Sequence, residues 1–272
     1  VETLDLVAGN PYYRMQDGLD MLGSDREREK WWSVGVPELY QWADRAWSSA
    51  QAPFLVTETN AQSIGPAWLN HPPFPGQLKQ AAFALISRGA RMIEYWQWHT
   101  QRHGPEAYWG GVLPHSQRPG RIYAEVAALG ADISSIGSAL DTLEPDADVL
   151  MLYSTDTDWT FQCFPPLALA DGSPDASAYA TIFDAHYRGL FEAGAQIRVQ
   201  HARQFVDIET EELVRKYPIL VVPGLYVADD RLLDHMIEYA AAGGHLVLGI
   251  RTGYADELAR PRLAVAPGRI AE

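Results

Sequence analysis

The sequence predicts an α/β protein in two parts: the last strand–helix units of a (β/α)8 TIM barrel, then a flavodoxin-like doubly wound parallel-sheet domain. Three observations predict it. Short apolar runs alternate with segments of helical period along the chain, the pattern of parallel β–α units. The apolar runs lack the in–out alternation of a half-exposed sheet, as expected where helices cover both faces. The texture also changes midway: eight of the nine tryptophans precede residue 110 and only Trp159 follows it.

In the first part, Leu4–Val7 reads as a strand ending at the turn signal Gly9-Asn10-Pro11. Val36–Trp47 has helical spacing, with Leu39, Ala43 and Ala46 on one face. Pro53–Val56 is a buried-strand run. Leu78–Ile86 is a helix with Leu78, Ala82 and Leu85 in register and Gly89 past its end. Ala90–Trp96 is the next strand, and Pro119 opens a helix to about Ile133 carrying Ile122, Val126 and Leu129. Three such units cannot close a sheet by themselves. The long loops after their strands are where a TIM barrel keeps its chemistry.

The second part alternates more tightly: strand Val149–Tyr153, helix Ala176–Ala193 closed by Gly194, strand Ile197–Val199, short helix Glu209–Val214, strand Ile219–Val222, helix Ala228–Ala242 and strand His245–Ile250. The joint falls near residues 137–147, giving expected domains 1–143 and 144–272.

Composition narrows the function. A hydrophobic content of 47% supports a sizeable core, and 21% charged residues is too few for a disordered chain. A net charge of −14 argues against a nucleic-acid partner, which needs a basic face. The longest apolar runs, Ile219–Val222 and Leu246–Ile250, are strand-sized, so no membrane partner is expected. Residues 1–13 show no signal-peptide pattern, and a cytoplasmic location is the expectation. The chain opens on Val1 and stops at Glu272 without start or stop signals, so it reads as a piece of something longer.

Two segments carry candidate chemistry. Glu58 follows the run Phe54-Leu55-Val56-Thr57 and stands at a strand's carboxyl tip, with Trp68 nearby. A glycosidase needs such a carboxylate below the anomeric carbon, and indoles stack on the apolar faces of sugars; a surface ion pair is the plain alternative. Residues 93–115 hold three Trp, three His and two Glu, an aromatic pocket with a few polar groups suited to a hydroxyl-rich ligand. The spacing of His99, His103 and His115 fits no compact metal site, and hydrogen bonding to hydroxyls or loop backbone is expected of them. Cys163, alone in the chain, excludes an internal disulfide and lacks the glycine-flanked elbow of a nucleophile, so a buried free thiol is expected. The acids of Ser154–Asp158 rule out a phosphate cradle, and Asp25–Lys30 reads as a solvated helix start or loop.

Residues Glu94–His115, Pro119–Tyr123, Leu129–Ala131, Asp5–Val7 leading to Asn10 and Tyr12, Phe54–Glu58 and Pro75–Gln77 together resemble glycoside hydrolase family 42, the β-galactosidases. The part from 148 onward looks like that family's flavodoxin-like trimerisation module. The resemblance implies a retaining β-galactosidase acting on terminal β-D-galactose, with Glu58 as nucleophile and Trp68, Glu106, Trp109, Asn10 and Tyr12 lining the sugar site. It implies a galactoside oligosaccharide as substrate, a homotrimer and no cofactor or metal. Many relatives carry His where this chain has Trp109. A β-arabinopyranosidase, a β-glucosidase or a non-catalytic carbohydrate-binding or assembly protein are the alternatives. The family's acid/base glutamate follows an asparagine; no Asn-Glu pair occurs here, so that residue is expected upstream of Val1.

Overall fold

A computed structural model describes residues 5–19 and 36–271. The mixed-charge run Asp25–Lys30 lies outside the described residues. By internal contacts the chain divides into Val1–Pro145 and Asp146–Glu272.

The first unit runs β1 (Val7–Gly9), α1 (Val36–Ser48), β2 (Phe54–Asn60), α2 (Gln77–Ser87), β3 (Ala90–Trp96) and α3 (Arg121–Ile136). Its strands form one parallel sheet in the order β1-β2-β3. Of the expected strand Leu4–Val7, Leu4 lies outside the described residues, and β1 takes up Val7 and continues to Gly9, because Val7–Gly9 is the stretch in register with Phe54–Val56. Apolar character marks the neighbourhood, but pairing selects the residues. β2 likewise continues beyond Val56, so Glu58 lies within the strand and not after it. α3 begins after Gly120 and extends to Ile136.

Of the faces that the helical spacing predicts, Leu39 and Ala43 of α1 and Leu78, Ala82 and Leu85 of α2 are buried, with Phe54 and Val56 of β2; in α1 the next buried residue is Trp47 and not Ala46, which is half-buried. Each such large side chain contributes roughly 1.5–3 kcal/mol. Asp44 of α1 and Arg88, which caps the end of α2, form a buried ion pair with Nε and Oδ1 2.5 Å apart. Gly89 then turns the chain at φ +105°, and a Cβ there would lie 2.3 Å from the Trp47 ring, so both conformation and space demand glycine.

The second unit runs β4 (Val149–Tyr153), α4 (Thr155–Cys163), α5 (Ala178–Glu192), β5 (Ile197–His201), α6 (Ala202–Phe205), α7 (Thr210–Lys216), β6 (Ile219–Val222), α8 (Asp230–Ala241) and β7 (His245–Leu248). The sheet is parallel in the order β5-β4-β6-β7, so the winding reverses beside β4. Leu150, Leu152, Phe205, Leu220 and Leu233 are at its core. Two helices, α4 and α6, escape the periodicity reading. The run Ser154–Asp158 starts α4: the Ser154 hydroxyl accepts from the Thr157 amide at 3.1 Å, an N-cap. α4 turns Thr157 and Phe161 inward, which leaves Cys163 exposed at its last turn and corrects the expectation of a buried thiol.

α6 is capped by His201. Its Nδ1 accepts from the Arg203 amide at 3.2 Å, its Nε2 meets Thr155 Oγ1 at 3.1 Å, and Gln204 closes the capping box from the other side. Burial, then the Arg203 guanidinium, hold the imidazole below the ordinary histidine value of 6.5, against the opposing pull of Asp156. The neutral ring is the one that caps. The unfolded chain therefore binds the proton more readily, and the stability supplied by the neutral ring is complete above about pH 6.5 and lost as pH falls below it. Urea unfolding across this range should show His201→Asn, which keeps a capping oxygen but does not titrate, losing less stability on acidification than the unaltered protein, by up to about 1 kcal/mol.

Candidate active site

The carboxyl ends of β1 and β2 are joined residue by residue. Past Gly9 the chain no longer follows a β ladder, yet it stays beside β2 through side chains. Thr57 Oγ1 donates to Asn10 Oδ1 at 2.9 Å, Thr59 Oγ1 donates to the Pro11 carbonyl at 2.7 Å, and Asn60 Nδ2 donates to the Tyr13 carbonyl at 2.9 Å. Between them the Tyr12 hydroxyl donates a hydrogen bond to Glu58 Oε1. Thr59 and Asn60 are fully enclosed, so their polar groups require these partners.

Glu58 reaches Tyr12 because of a bulge. From Val56 to Thr59, β2 advances three residues while β3 advances two, from Ile93 to Tyr95. The extra residue interrupts the alternation of faces. The neighbouring side chains Thr57 and Glu58 are thereby both turned to Asn10 and Tyr12, which lie two residues apart. Glu58 is half-buried. Burial, the bond to Glu58, and the charges of Glu58 and Glu106 push the Tyr12 phenol far above its ordinary value, so it remains a proton donor to the carboxylate.

Glu106 is held by a loop that closes on itself after β3. The amides of Val112 and Leu113 donate to the carbonyls of Gln97 and Trp98 at 2.7 and 2.8 Å, and Thr100 N returns to Leu113 O at 2.9 Å. His115 Nε2 lies 2.8 Å from the Ala107 carbonyl and 3.0 Å from that of Gln101, which places it on loop backbone. The loop then docks on the one after β2: Gln62 Nε2 donates to Gly111 O at 2.5 Å, and Gly110 N donates to Ser63 O at 3.1 Å. The Trp109 amide bonds the Glu106 carbonyl at 2.9 Å, fixing the turn that carries both.

The structure thus brings together Asn10, Tyr12 and Glu58, while Glu106 and half-buried Trp109 share a turn of the loop after β3. Trp68 is 87% exposed in the loop after β2. Trp98 and Tyr108, which sequence reasoning did not single out, are also exposed at 62% and 60%. It also passed over Thr57 and Gly111 as residues that shape this region. The polar run Thr57–Asn60 closing an apolar strand was the available signal for the bulge.

Residues 14–136 match the β-galactosidase model of glycoside hydrolase family 42, and residues 147–272 match the family's β-galactosidase trimerisation domain. The chain belongs to this family. The β-galactosidase BgaA of Clostridium cellulovorans is 29% identical over 66% of this chain and 25% of its own length. BgaB of a Geobacillus species is 27% identical over 79% of this chain and 30% of its own. The chain therefore spans under a third of the curated family 42 relatives it matches. Among solved structures, a β-galactosidase from the haloarchaeon Halorubrum lacusprofundi superposes with a TM-score of 0.77 over 98% of this chain and 37% of its own, at 23% identity. A β-galactosidase from the psychrophile Marinomonas ef1 gives 0.79 over 99% and 40%, at 20% identity. The first unit is accordingly part of a TIM barrel, and the second is the family's doubly wound domain.

Gly111 is where the loop carrying Glu106 is tightest. A Cβ there would lie 2.7 Å from Gln97 O and from His99 C and 2.8 Å from Thr100 N, all backbone. Gly111→Ala should cost about 1–3 kcal/mol of stability, read as a lowered urea midpoint. Gly104→Ala in the same loop, whose Cβ meets nothing within 4 Å, should cost less, although its φ of +88° adds strain.

Proposed function

We propose that the protein carrying this chain is a retaining β-galactosidase with Glu58 as its nucleophile. The observation that supports this most directly is the half-buried Glu58 carboxylate at the bulged end of β2, bonded to a phenol and, among the described residues, in no ion pair with a cation. A carboxylate held by a neutral donor keeps its negative charge available for an anomeric carbon. In the proposed reaction Glu58 attacks that carbon, the aglycone oxygen leaves with a proton from a second carboxyl, and water then displaces the galactosyl ester. The second carboxyl must stand roughly 5–5.5 Å from the first. We place it outside residues 1–272, because this stretch has no Asn-Glu pair of the family type.

Glu106 and Trp109, with Asn10 and Trp68, are proposed to bind the sugar. Glu106 accepts from galactose hydroxyls and Trp109 walls the pocket where many relatives have His. Tyr12 is proposed as a positioning residue that aims Glu58, besides lining the site. The match of residues 147–272 to a trimerisation domain supports a homotrimer. Among the described residues no helix is long and apolar enough to cross a membrane, and the net charge of −14 disfavours nucleic acid.

A 2-deoxy-2-fluorogalactoside with a good leaving group should label the full-length enzyme on the peptide containing Glu58; a label on any other residue sinks the assignment. Glu58→Ala should lower kcat at least about 10⁴-fold, and added azide should restore turnover with an α-galactosyl azide as product. Tyr12→Phe removes one hydrogen bond to a charged group and should lower kcat about 10- to 100-fold with KM little changed. An equal rise in KM with kcat preserved would instead make Tyr12 a simple binding residue.

A further inference from the structure

The second unit bears two ordered apolar surfaces that face solvent. One is on α4 and the hairpin after it. Because Thr157 and Phe161 point inward, Trp159 is turned to the opposite side of the helix and is 65% exposed. Phe164 at the helix end is 76% exposed and Leu169 51%. This surface is held in shape. Leu169 N donates to Ser173 O at 2.8 Å and Asp175 N to Leu167 O at 3.1 Å, while the Ser154 cap anchors the start of α4. The other surface follows β7, where Leu258 is 66% exposed, Val265 84% and Leu263 completely so. It too is ordered: Asp256 Oδ1 accepts from the amides of Leu258 and Arg260 at 3.0 Å, and Arg262 bonds Asp230 at 2.6 Å.

A tryptophan and a phenylalanine left in water on a rigid surface are the residue types that dominate subunit contacts. Their occupant follows from the match of residues 147–272 to a trimerisation domain. A ring of three copies cannot use one self-complementary patch: each copy must offer one surface to the neighbour on one side and a different surface to the other. The unit has two such surfaces. We propose that Trp159, Phe164 and Leu169 of one copy pack on Leu258, Leu263 and Val265 of the next, and that this contact, repeated three times, closes the trimer. The proposal rests on the trimer reading above and adds the faces and their head-to-tail pairing.

The test uses the full-length protein and light scattering after size exclusion. Trp159→Ser with Phe164→Ser, and separately Leu263→Ser with Val265→Ser, should each weaken association at least about a hundredfold and release smaller species. Mixing the two double variants should restore a single good contact per pair, so the mixture stops at a heterodimer and never reaches a trimer. In the unaltered protein, hydrogen exchange at residues 159–169 and 258–265 should slow together as concentration rises through assembly, a readout that needs no variant. A monomeric unaltered protein overturns the trimer reading and this proposal with it. A trimer that survives both double substitutions, or that only the first pair disrupts, overturns the pairing while leaving the trimer intact.

Discussion

Residues Thr57–Asn60 and residues Asn10–Tyr13 lie side by side, each of the four β2 residues bonded to one of its neighbours, and the candidate site is built outward from that seam. β2 is the central strand of its sheet, paired with β1 on one side and β3 on the other. A bulge at this strand's end is therefore felt by both neighbours. It gives Glu58 a direction that regular alternation would have denied it. The two buried members, Thr59 and Asn60, anchor the seam by satisfying polar groups that have no water to turn to. The two outer members, Thr57 and Glu58, are the less buried pair.

The second carboxylate, Glu106, depends on a different kind of support. It lies in a loop without regular structure, where precision has to come from closure. The ring of backbone bonds between Gln97–Thr100 and Gly111–Leu113, fastened by His115 and docked on Gln62 and Ser63, supplies it. The dense aromatic and histidine content of residues 93–115 thus serves two ends. Some of it holds the loop together, as His115 does; some remains open to solvent, as Trp98 and Tyr108 do.

Much of the architecture was legible because helices and buried strands announce themselves locally. The register of Leu39 with Ala43, or of Leu78 with Ala82 and Leu85, is a property of neighbouring residues, and the structure buries these side chains. What was illegible is what depends on distant partners. The bonds that aim Glu58 join residues 46–48 positions apart, and the first strand continues past its own apolar run to Gly9, where β2 pairs with it. α4 was missed for a related reason: with Ser, Thr and Asp at its start it has little apolar periodicity, and its cap is a polar signal easily read as a turn.

The buried pair of Asp44 and Arg88 has a consequence for how this family can drift in sequence. Replacing both partners with well-packed apolar residues is often tolerated, whereas removing one takes an interior ion-pair partner from the other, a loss of about 3–5 kcal/mol in comparable buried pairs. The two positions, one on α1 and the other at the end of α2, are therefore locked to each other in evolution. A lineage can leave the charged state only through a simultaneous exchange or by crossing a poorly folded intermediate, so related sequences should keep both charges or neither.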